Sequence, residues 1–266
     1  MKKMIAILLV LVMAMGLIAC GAKEEPATQP ETPPVVETPA EPETETPAEP
    51  EAETPAEPEA EESQAAVMTH DEYAAAELDT EVVIETYVQG HQSWWDNKIT
   101  VYCQSPDGAY FLYELACSEE DAAKLIPGTK IRVTGYKGEW AGEVEVMDGT
   151  FEFVEDGDTF LAEALDVTDL LASEELIAHQ NEFVSFKGMT VEAIEYKNGE
   201  PGDDIYVTLS KDGVSYNFCV EVYLTGTDSD VYTTVGELAQ GDVVDVEGFL
   251  YWYEGMNPHI TGITKN

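Results

Sequence analysis

Arginine is almost absent from this chain, and basic residues in general are scarce. The 266 residues include 12 lysines and arginines against 54 aspartates and glutamates, for a formal net charge of −42, and Arg132 is the single arginine. Proteins that bind nucleic acid take most of their affinity from Lys and Arg side chains on phosphates. The composition therefore predicts no nucleic-acid partner, and it favours a neutral or cationic one.

The sequence motifs of common enzymes are missing as well. The histidines are scattered without the spacing of a metal-binding His-Glu-x-x-His motif, and there is neither a Gly-x-Ser-x-Gly turn nor a phosphate-binding glycine loop. One arginine also cannot supply the charge stabilisation that a phosphoryl-transfer site needs. We therefore expect no catalytic residues, no cofactor and no resident metal, and we predict that the protein is not an enzyme.

The apolar run near the start of the chain is too short for a comfortable membrane span. It covers residues 4–18 and follows Lys2 and Lys3, an arrangement typical of a secretory signal peptide. The run ends in Leu-Ile-Ala-Cys20, which resembles the lipobox of bacterial lipoproteins: an aliphatic residue, a tolerant position, a small residue and then cysteine. The resemblance implies that residues 1–19 are removed and that Cys20 is lipidated. The protein would then be extracytoplasmic and anchored to the bacterial cell membrane by that lipid.

Residues 24–64 contain no aromatic side chain and are dominated by proline and glutamate, with ETPAEPEA at 45–52 and again at 53–60. Such a segment cannot bury enough apolar surface to offset its ordering entropy. We predict a disordered Pro/Glu/Thr-rich stalk over residues 20–65 that lifts a folded head off the membrane. An acidic interaction tail is the alternative.

Glycine spacing indicates an internal duplication in the remaining residues. Three glycines that lie seven residues apart recur at a constant offset of 113: Gly128, Gly135 and Gly142, then Gly241, Gly248 and Gly255. Upstream of each block, an Asp-Gly pair flanked by alternating apolar residues predicts a β-hairpin. Between the first hairpin and its glycine block, residues 118–125 predict a short helix with Ser118 as its N-cap. Each half thus has the predicted order β-β-β-α-β-β.

This order and the block Gly-x-x-[Ile/Val]-x-Val-x-Gly resemble the OB-fold, a small Greek-key barrel, as found in exported bacterial OB-fold proteins and in the anticodon-binding type. The resemblance covers residues 80–154 and 181–265. It implies an all-β protein with two tandem five-stranded OB-like barrels and short helices, after the disordered stalk. The predicted domains are 66–158 and 181–266, joined by a helical connector over 159–180. A generic β-sandwich is the alternative.

The registers of the two hairpins can be predicted from their turns. In the second, a two-residue Asp-Gly turn pairs Leu209 with Tyr216. In the first, residues 106–108 predict a type I turn closed by a left-handed glycine, which pairs Ile99 with Leu115 and Cys103 with Phe111.

That register places Cys117 far along the sheet from Cys103. The chain also has Cys219, and the cysteine spacings match no common zinc site. We therefore expect Cys103 to be a buried free thiol rather than half of a disulfide with Cys117.

Aromatic side chains cluster in the loops expected at the barrel mouths. In OB-folds the loops between strands one and two and between strands four and five flank the ligand face. Aromatic rings there provide stacking platforms. The predicted ligand-binding residues are Trp94, Trp95, Asp96, Trp140, Tyr251, Trp252 and Tyr253.

We expect the head to bind a neutral or cationic extracellular ligand without catalysis, with a glycan favoured over a peptide or a polyamine. The alternative is a structural or assembly component of the cell envelope, whose aromatics form a domain or protein interface. An extracellular hydrolase is a third. Acidic turns at 155–158 and 228–230 offer oxygen ligands for calcium, or are simply solvated. Ligand binding predicts exposed tryptophans beside a groove, whereas a structural role predicts tryptophans buried between the barrels.

Overall fold

The computed structural model describes residues 66–155 and 157–266. The predicted signal peptide, the lipidated Cys20 and the stalk lie outside these residues. The strands are β1 Glu81–His91, β2 Lys98–Ser105, β3 Gly108–Ala116, β4 Lys130–Trp140, β5 Glu143–Phe153, β6 Leu165–Asp166, β7 Phe183–Tyr196, β8 Ile205–Lys211, β9 Val214–Val220, β10 Val243–Phe249 and β11 His259–Lys265. The α-helices are α1 His70–Ala75, α2 Glu119–Ala122, α3 Val222–Thr225 and α4 Asp230–Gly236.

Strands β1–β5 form a closed barrel in the order β1-β2-β3-β5-β4. The long β1 pairs with both β2 and β4, and β3 meets β5 in parallel. Apolar side chains from all five strands fill the interior, among them Val82, Val101, Leu112, Val133 and Val146. This is the strand order of an OB-like barrel, so the predicted fold class is confirmed.

The second half repeats the arrangement. Its sheet has the order β10-β11-β9-β8-β7-β6. An additional pairing between β10 and β7 joins the two sides of this sheet. Strand β9 meets β11 in parallel, as β3 meets β5 in the first barrel. The short β6 adds to β7 outside this ring. Phe186, Val207, Phe218 and Val246 lie in the second core.

The middle glycine of each repeated block has the same structural role in both barrels. The middle ones, Gly135 and Gly248, lie at bulges where strand four pairs with strand five. A Cβ on Gly135 would come within 2.7 Å of Val146, and one on Gly248 within 2.0 Å of the His259 carbonyl. The neighbouring strand approaches so closely that only glycine fits. The duplication inferred from spacing thus corresponds to a duplicated bulge.

The second hairpin confirms its predicted register, with Leu209 opposite Tyr216. The first hairpin confirms only the pair Ile99–Leu115, because Cys103 lies opposite Tyr110 rather than Phe111. Its turn is one residue shorter than predicted, and a bulge between Ile99 and Val101 restores the register.

Gly108 in the first hairpin belongs to β3 and is not left-handed. A Cβ there would lie 2.2 Å from the ring of His70, so packing and not turn geometry requires this glycine. The cysteines Cys103, Cys117 and Cys219 are free and buried, as was expected for Cys103.

The helices begin at side-chain caps. Thr69, Ser118 and Ser229 each accept a hydrogen bond from a backbone amide of the first turn, and Ser118 is the cap that the sequence predicted. Residues 159–180 contain β6 and the 3₁₀ helices Thr168–Leu170 and Glu174–His179 rather than a regular α-helix. Among residues 66–155 and 157–266, no helix is both long and apolar enough to cross a bilayer.

Candidate functional site

The loop between β1 and β2 ends in a tight turn that fixes the two adjacent tryptophans. Trp95 and Lys98 exchange backbone hydrogen bonds of 3.0 and 2.9 Å across the turn. Asp96 and Asn97 between them have φ of +47° and +61°. Positive φ at both central residues defines a type I′ turn, and Asn and Asp tolerate that conformation best. Asp96 is therefore a turn residue as well as a candidate ligand-binding residue.

Trp94 and Trp95 point in different directions. Trp94 packs against the core of the first barrel, and its Nε1 donates a 2.9 Å hydrogen bond to the carbonyl of Cys117. Trp95 is 79% exposed, the most exposed of the large hydrophobic side chains in the described part of the chain. Large apolar side chains are normally buried. The exposure of Trp95 on a tight turn therefore marks this position as a candidate binding surface.

Trp95 borders a cleft of about 400 Å³, which we call the tryptophan cleft. It is lined by Gln92, Ser93, Trp94, Trp95, Lys98, Ile99, Thr100, Glu114 and Tyr223. Tyr223 comes from α3 of the second barrel and is 60% exposed. The backbone amide of Ser93 donates a 2.7 Å hydrogen bond to the carbonyl of Tyr223, which ties the two barrels together at this point. The cleft is therefore a composite of both barrels.

Polar groups form the floor of the tryptophan cleft. Lys98 Nζ lies 2.6 Å from Glu114 Oε2, and this hydrogen bond lowers the pKa of the Glu114 carboxyl. The backbone amide of Glu114 donates to Thr100 Oγ1 at 3.2 Å. Exposed rings beside hydroxyl, amide and paired charged groups match a ligand that has apolar faces and hydrogen-bonding edges.

The other predicted aromatics lie where the barrels meet. We call this contact the seam. It comprises residues 140–144 and the outer surface of β2 and β3 from the first barrel, and residues 180–181, 249–255 and 259 from the second. Tyr102 stacks on Phe249 with ring centroids 4.5 Å apart, and Tyr251 packs against Phe111 and stacks on His259. Both barrels belong to one compact unit of the chain.

The strand four–five loops of the two barrels contact each other directly at the seam. Trp140 and Tyr253 pack with ring centroids 5.1 Å apart, and both remain about half exposed. The Glu254 amide donates 2.8 Å to the carbonyl of Ala141. Trp252 lies so close to Gly142 that a Cβ there would be 2.9 Å from its Cδ1.

A carboxyl group is buried inside the seam. Glu143 is 0% exposed, and its Oε2 accepts hydrogen bonds from the Trp252 amide at 2.7 Å and from Gln180 Nε2 at 3.3 Å. Burial raises the pKa of Glu143 to about 8, although these donors oppose the shift. Burial likewise raises the pKa of Glu145, two residues along β5, to about 7.

A histidine is also buried at the seam. His259 Nδ1 lies 2.6 Å from the Tyr102 hydroxyl, and burial lowers the pKa of its ring to about 4. The seam therefore contains a histidine whose pKa is lowered by burial and a carboxyl, Glu143, whose pKa is raised by burial.

The structure separates the seven predicted site residues. Trp94 and Trp95 line the tryptophan cleft, and Asp96 lies in the turn that follows Trp95. The other four lie at the seam. Sequence reasoning missed Tyr223, which lies in α3, in the segment between β9 and β10 that is longer than its counterpart between β3 and β4. It also missed Glu143, because a buried carboxyl has no sequence signature in a chain with 54 acidic residues.

The acidic turns at 155–158 and 228–230 were considered as calcium sites. Within 66–155 and 157–266, no three His, Cys, Asp or Glu side chains are placed to hold a metal ion together. Asp158, from the first acidic turn, accepts a 2.6 Å hydrogen bond from the Tyr87 hydroxyl.

Neither the models of protein families nor the curated proteins give a match. Solved structures give distant likenesses. A murine DNA-binding protein bound to double-stranded DNA is 11% identical, with a TM-score of 0.35 over 69% of this chain and 94% of that one. A replication protein A heterotrimer bound to single-stranded DNA is 12% identical, with a TM-score of 0.31 over 73% and 51%. A putative aspartyl-tRNA synthetase from Leishmania major Friedlin is 16% identical, with a TM-score of 0.29 over 42% and 22%.

These comparisons correct one expectation from the sequence. The composition predicted no nucleic-acid partner, and that exclusion is contradicted because two of these similar structures are described as bound to DNA. The argument failed because net charge averages over a whole surface, whereas single strands are also held by stacking on aromatic side chains. The likenesses assign no ligand to this chain.

Proposed function

We propose that residues 66–266 are the ligand-binding head of an extracytoplasmic lipoprotein, anchored to the bacterial membrane through Cys20, and that the head binds a glycan in the tryptophan cleft without catalysis. The observation that carries this proposal is the 79% exposure of Trp95 on a type I′ turn beside the 60% exposed Tyr223. Two rings at the rim of a cleft provide the stacking surfaces that sugar faces need.

The polar floor of the cleft supports the same ligand class. Gln92, Thr100 and the Lys98–Glu114 pair offer donors and acceptors in one place. Because Lys98 and Glu114 neutralise each other, a ligand with hydroxyl edges fits better than a strongly charged one. Peptides and polyamines remain the next ligand classes to test.

The test is a binding screen on the full chain by calorimetry, using neutral and amino-sugar oligosaccharides, a peptide set, spermidine, calcium, and single- and double-stranded DNA. We expect an oligosaccharide to bind, and Trp95→Ala and Tyr223→Ala each to weaken binding at least tenfold, about 1.4 kcal/mol. The matched control is Tyr206→Ala, a 44% exposed ring on β8 outside the cleft lining. Binding of DNA or spermidine alone, or equal effects of Trp95→Ala and Tyr206→Ala, would refute the glycan cleft.

The seam favours a second candidate, a structural component of the cell envelope. Tyr251 and Trp252 pack between the barrels, whereas Trp140 and Tyr253 present half-exposed rings at the edge of the same contact. If this is the main role, Trp140→Ala with Tyr253→Ala should abolish capture of an envelope partner in crosslinking from intact cells, and Trp95→Ala should not.

A further inference from the structure

A second cleft lies where the connector (residues 159–180) meets both barrels, and we call it the connector cavity. Its volume of about 590 Å³ exceeds that of the tryptophan cleft, and the two share no lining residue. The apolar part of its lining comes mainly from the connector and the second barrel: Leu161, Phe183, Leu224, Val231 and Phe249. Protein interiors contain few voids larger than a water molecule, so a space of this size between packed elements is a candidate binding site.

The lining of the connector cavity contains no Asp, Glu, Lys or Arg. This is unusual for the molecule, because 25% of the residues of the chain are charged, and the tryptophan cleft contains Lys98 and Glu114. A charged ligand that left water for this cavity would find no counter-ion, and burial of an unpaired charge is costly. The lining therefore favours an uncharged ligand.

Several polar side chains at the cavity wall are already bonded within the protein. Gln89 Oε1 accepts a 2.9 Å hydrogen bond from the amide of Ala162, and Gln89 Nε2 donates to the carbonyl of Phe160 at 3.1 Å. The hydroxyls of Ser229 and Thr225 donate to backbone carbonyls at 2.9 and 3.2 Å. These groups make no demand on a ligand, and the bonds of Gln89 fix the connector against the end of β1.

One polar group of the lining remains as an acceptor. His91 Nδ1 lies 2.8 Å from the carbonyl of Gln92, and a carbonyl can only accept. Nδ1 therefore carries the proton, and in the neutral ring Nε2 has the free lone pair. His91 lies at the end of β1 and lines the cavity. The cavity thus combines apolar walls with a single acceptor from the first barrel.

We propose that the connector cavity binds an uncharged, mainly apolar small molecule whose polar group donates a hydrogen bond to His91. The volume of the cavity lies within the range of about 300–1,000 Å³ that is typical of small-molecule sites. Leu161 lines the cavity and is 63% exposed, so it lies at the mouth through which such a molecule enters. This site is additional to the tryptophan cleft, and it does not rest on the proposed binding of a glycan.

The first test compares two fluorescent probes that have the same rings, on the full chain. Phenylnaphthylamine is uncharged, whereas anilinonaphthalenesulfonate carries a sulfonate. Salt at about 0.5 M screens the general repulsion between the anion and the acidic chain. We expect the uncharged probe to bind about tenfold more tightly or better, because no lysine or arginine lines the cavity to pair with a sulfonate. Equal or tighter binding of the sulfonate would overturn the proposal, and this result requires no variant to fold.

The second test fills the cavity. Ala162→Phe adds a ring to the lining, and it keeps the backbone amide that bonds to Gln89. We expect binding of the uncharged probe to weaken about tenfold. The matched control is Ala164→Phe, in the same connector but outside the lining, which should bind as the wild type does. Equal affinities of the two variants would contradict the proposal.

The third test separates the cavity from other apolar segments. A probe at ten times its dissociation constant should raise the thermal midpoint of the wild type by about 3–6 °C, because it binds the folded barrels. Binding to the apolar run at 4–18 would leave the midpoint unchanged. Trp95→Ala should keep the full shift, since Trp95 does not line the connector cavity. No shift in the wild type, or loss of the shift in Trp95→Ala, would refute the site. Each result is independent of whether a glycan binds.

Discussion

Two groups of aromatic side chains, one at the tryptophan cleft and one at the seam, differ in the exposure of their central rings. At the tryptophan cleft, Trp95 is 79% exposed, and the cleft beside it has a volume of about 400 Å³. At the seam, Phe249 is 4% exposed and stacks on Tyr102, and Trp252 fills the space above Gly142. The aromatic side chains at the barrel mouths therefore have two structural roles. Some are exposed beside a cleft, and others pack in the contact between the barrels.

The same contrast distinguishes the two barrels. On the first, the outer surface of β2 and β3 carries Tyr102 and Phe111, and the second barrel covers both. On the second, the corresponding strands present Tyr206 and Asn217, which are exposed. Burial of apolar area stabilises about 25 cal/mol per Å², so the covered surface contributes to stability and the open surface does not. Substitutions that act differently on the two clusters test this view.

The largest expected effect is at the centre of the seam. Phe249→Ala removes the ring between Tyr102 and Phe183 and should destabilise the full chain by about 3–5 kcal/mol in urea unfolding. Tyr206→Ala is the control and should change stability by less than about 1 kcal/mol. A loss below about 1 kcal/mol for Phe249→Ala would mean that the barrels are not energetically joined.

The next effect is a pH dependence at Glu221, the N-cap residue of α3. Burial raises the pKa of Glu221 to about 7 from its ordinary 4.5, and its Oε2 has no hydrogen-bond partner. The folded state therefore binds an extra proton between those values, and stability falls as the pH rises through that window. Glu221→Gln should reduce the slope of unfolding free energy by about 1.4 kcal/mol per pH unit.

The matched control for this slope is Glu237→Gln at the exposed end of α4, which should leave it unchanged. The free energy of unfolding would be measured in urea at several pH values for all three proteins. An identical slope for Glu221→Gln and the wild type would show that Glu221 is ionised when folded.

The sequence predicted the barrels because their strand pattern is local. Alternating apolar residues, Asp-Gly turns and spaced glycines each act within one hairpin, and the register of the second hairpin followed from its turn alone. The first hairpin was wrong by one residue, and its Gly108 packs against His70 from a distant segment. Packing between two distant segments cannot be predicted from the sequence pattern of either segment alone.

The site was predicted less well for the same reason. Trp94 and Trp95 were placed in the right loop, but their neighbour Tyr223 comes from 128 residues further along the chain. The packing of Trp252 against Gly142 depends on how the second barrel sits against the first. Neither contact follows from spacing within one barrel, because both require the barrels to be docked.

A third prediction uses two glycines with the same φ angle. Gly142 and Gly241 both have φ of +92°, but an added Cβ meets Trp252 only at Gly142, and nothing lies within 4 Å at Gly241. Each alanine substitution should cost about 1 kcal/mol of backbone strain. Gly142→Ala should cost about 1 kcal/mol more, because Trp252 must shift. Equal losses of stability for the two variants in thermal unfolding would show that Trp252 moves aside at no measurable cost.

The smallest effect comes from the adjacent tryptophans. Trp94→Phe leaves the Cys117 carbonyl without its 2.9 Å donor and should cost about 1 kcal/mol. Trp95→Phe removes nothing that is buried and should change stability by less than about 0.5 kcal/mol. Because the two positions share a turn, backbone effects cancel in the comparison. If Trp95→Phe destabilised the chain as much as Trp94→Phe, Trp95 would be part of the architecture, and the cleft would lose its main support as a binding site.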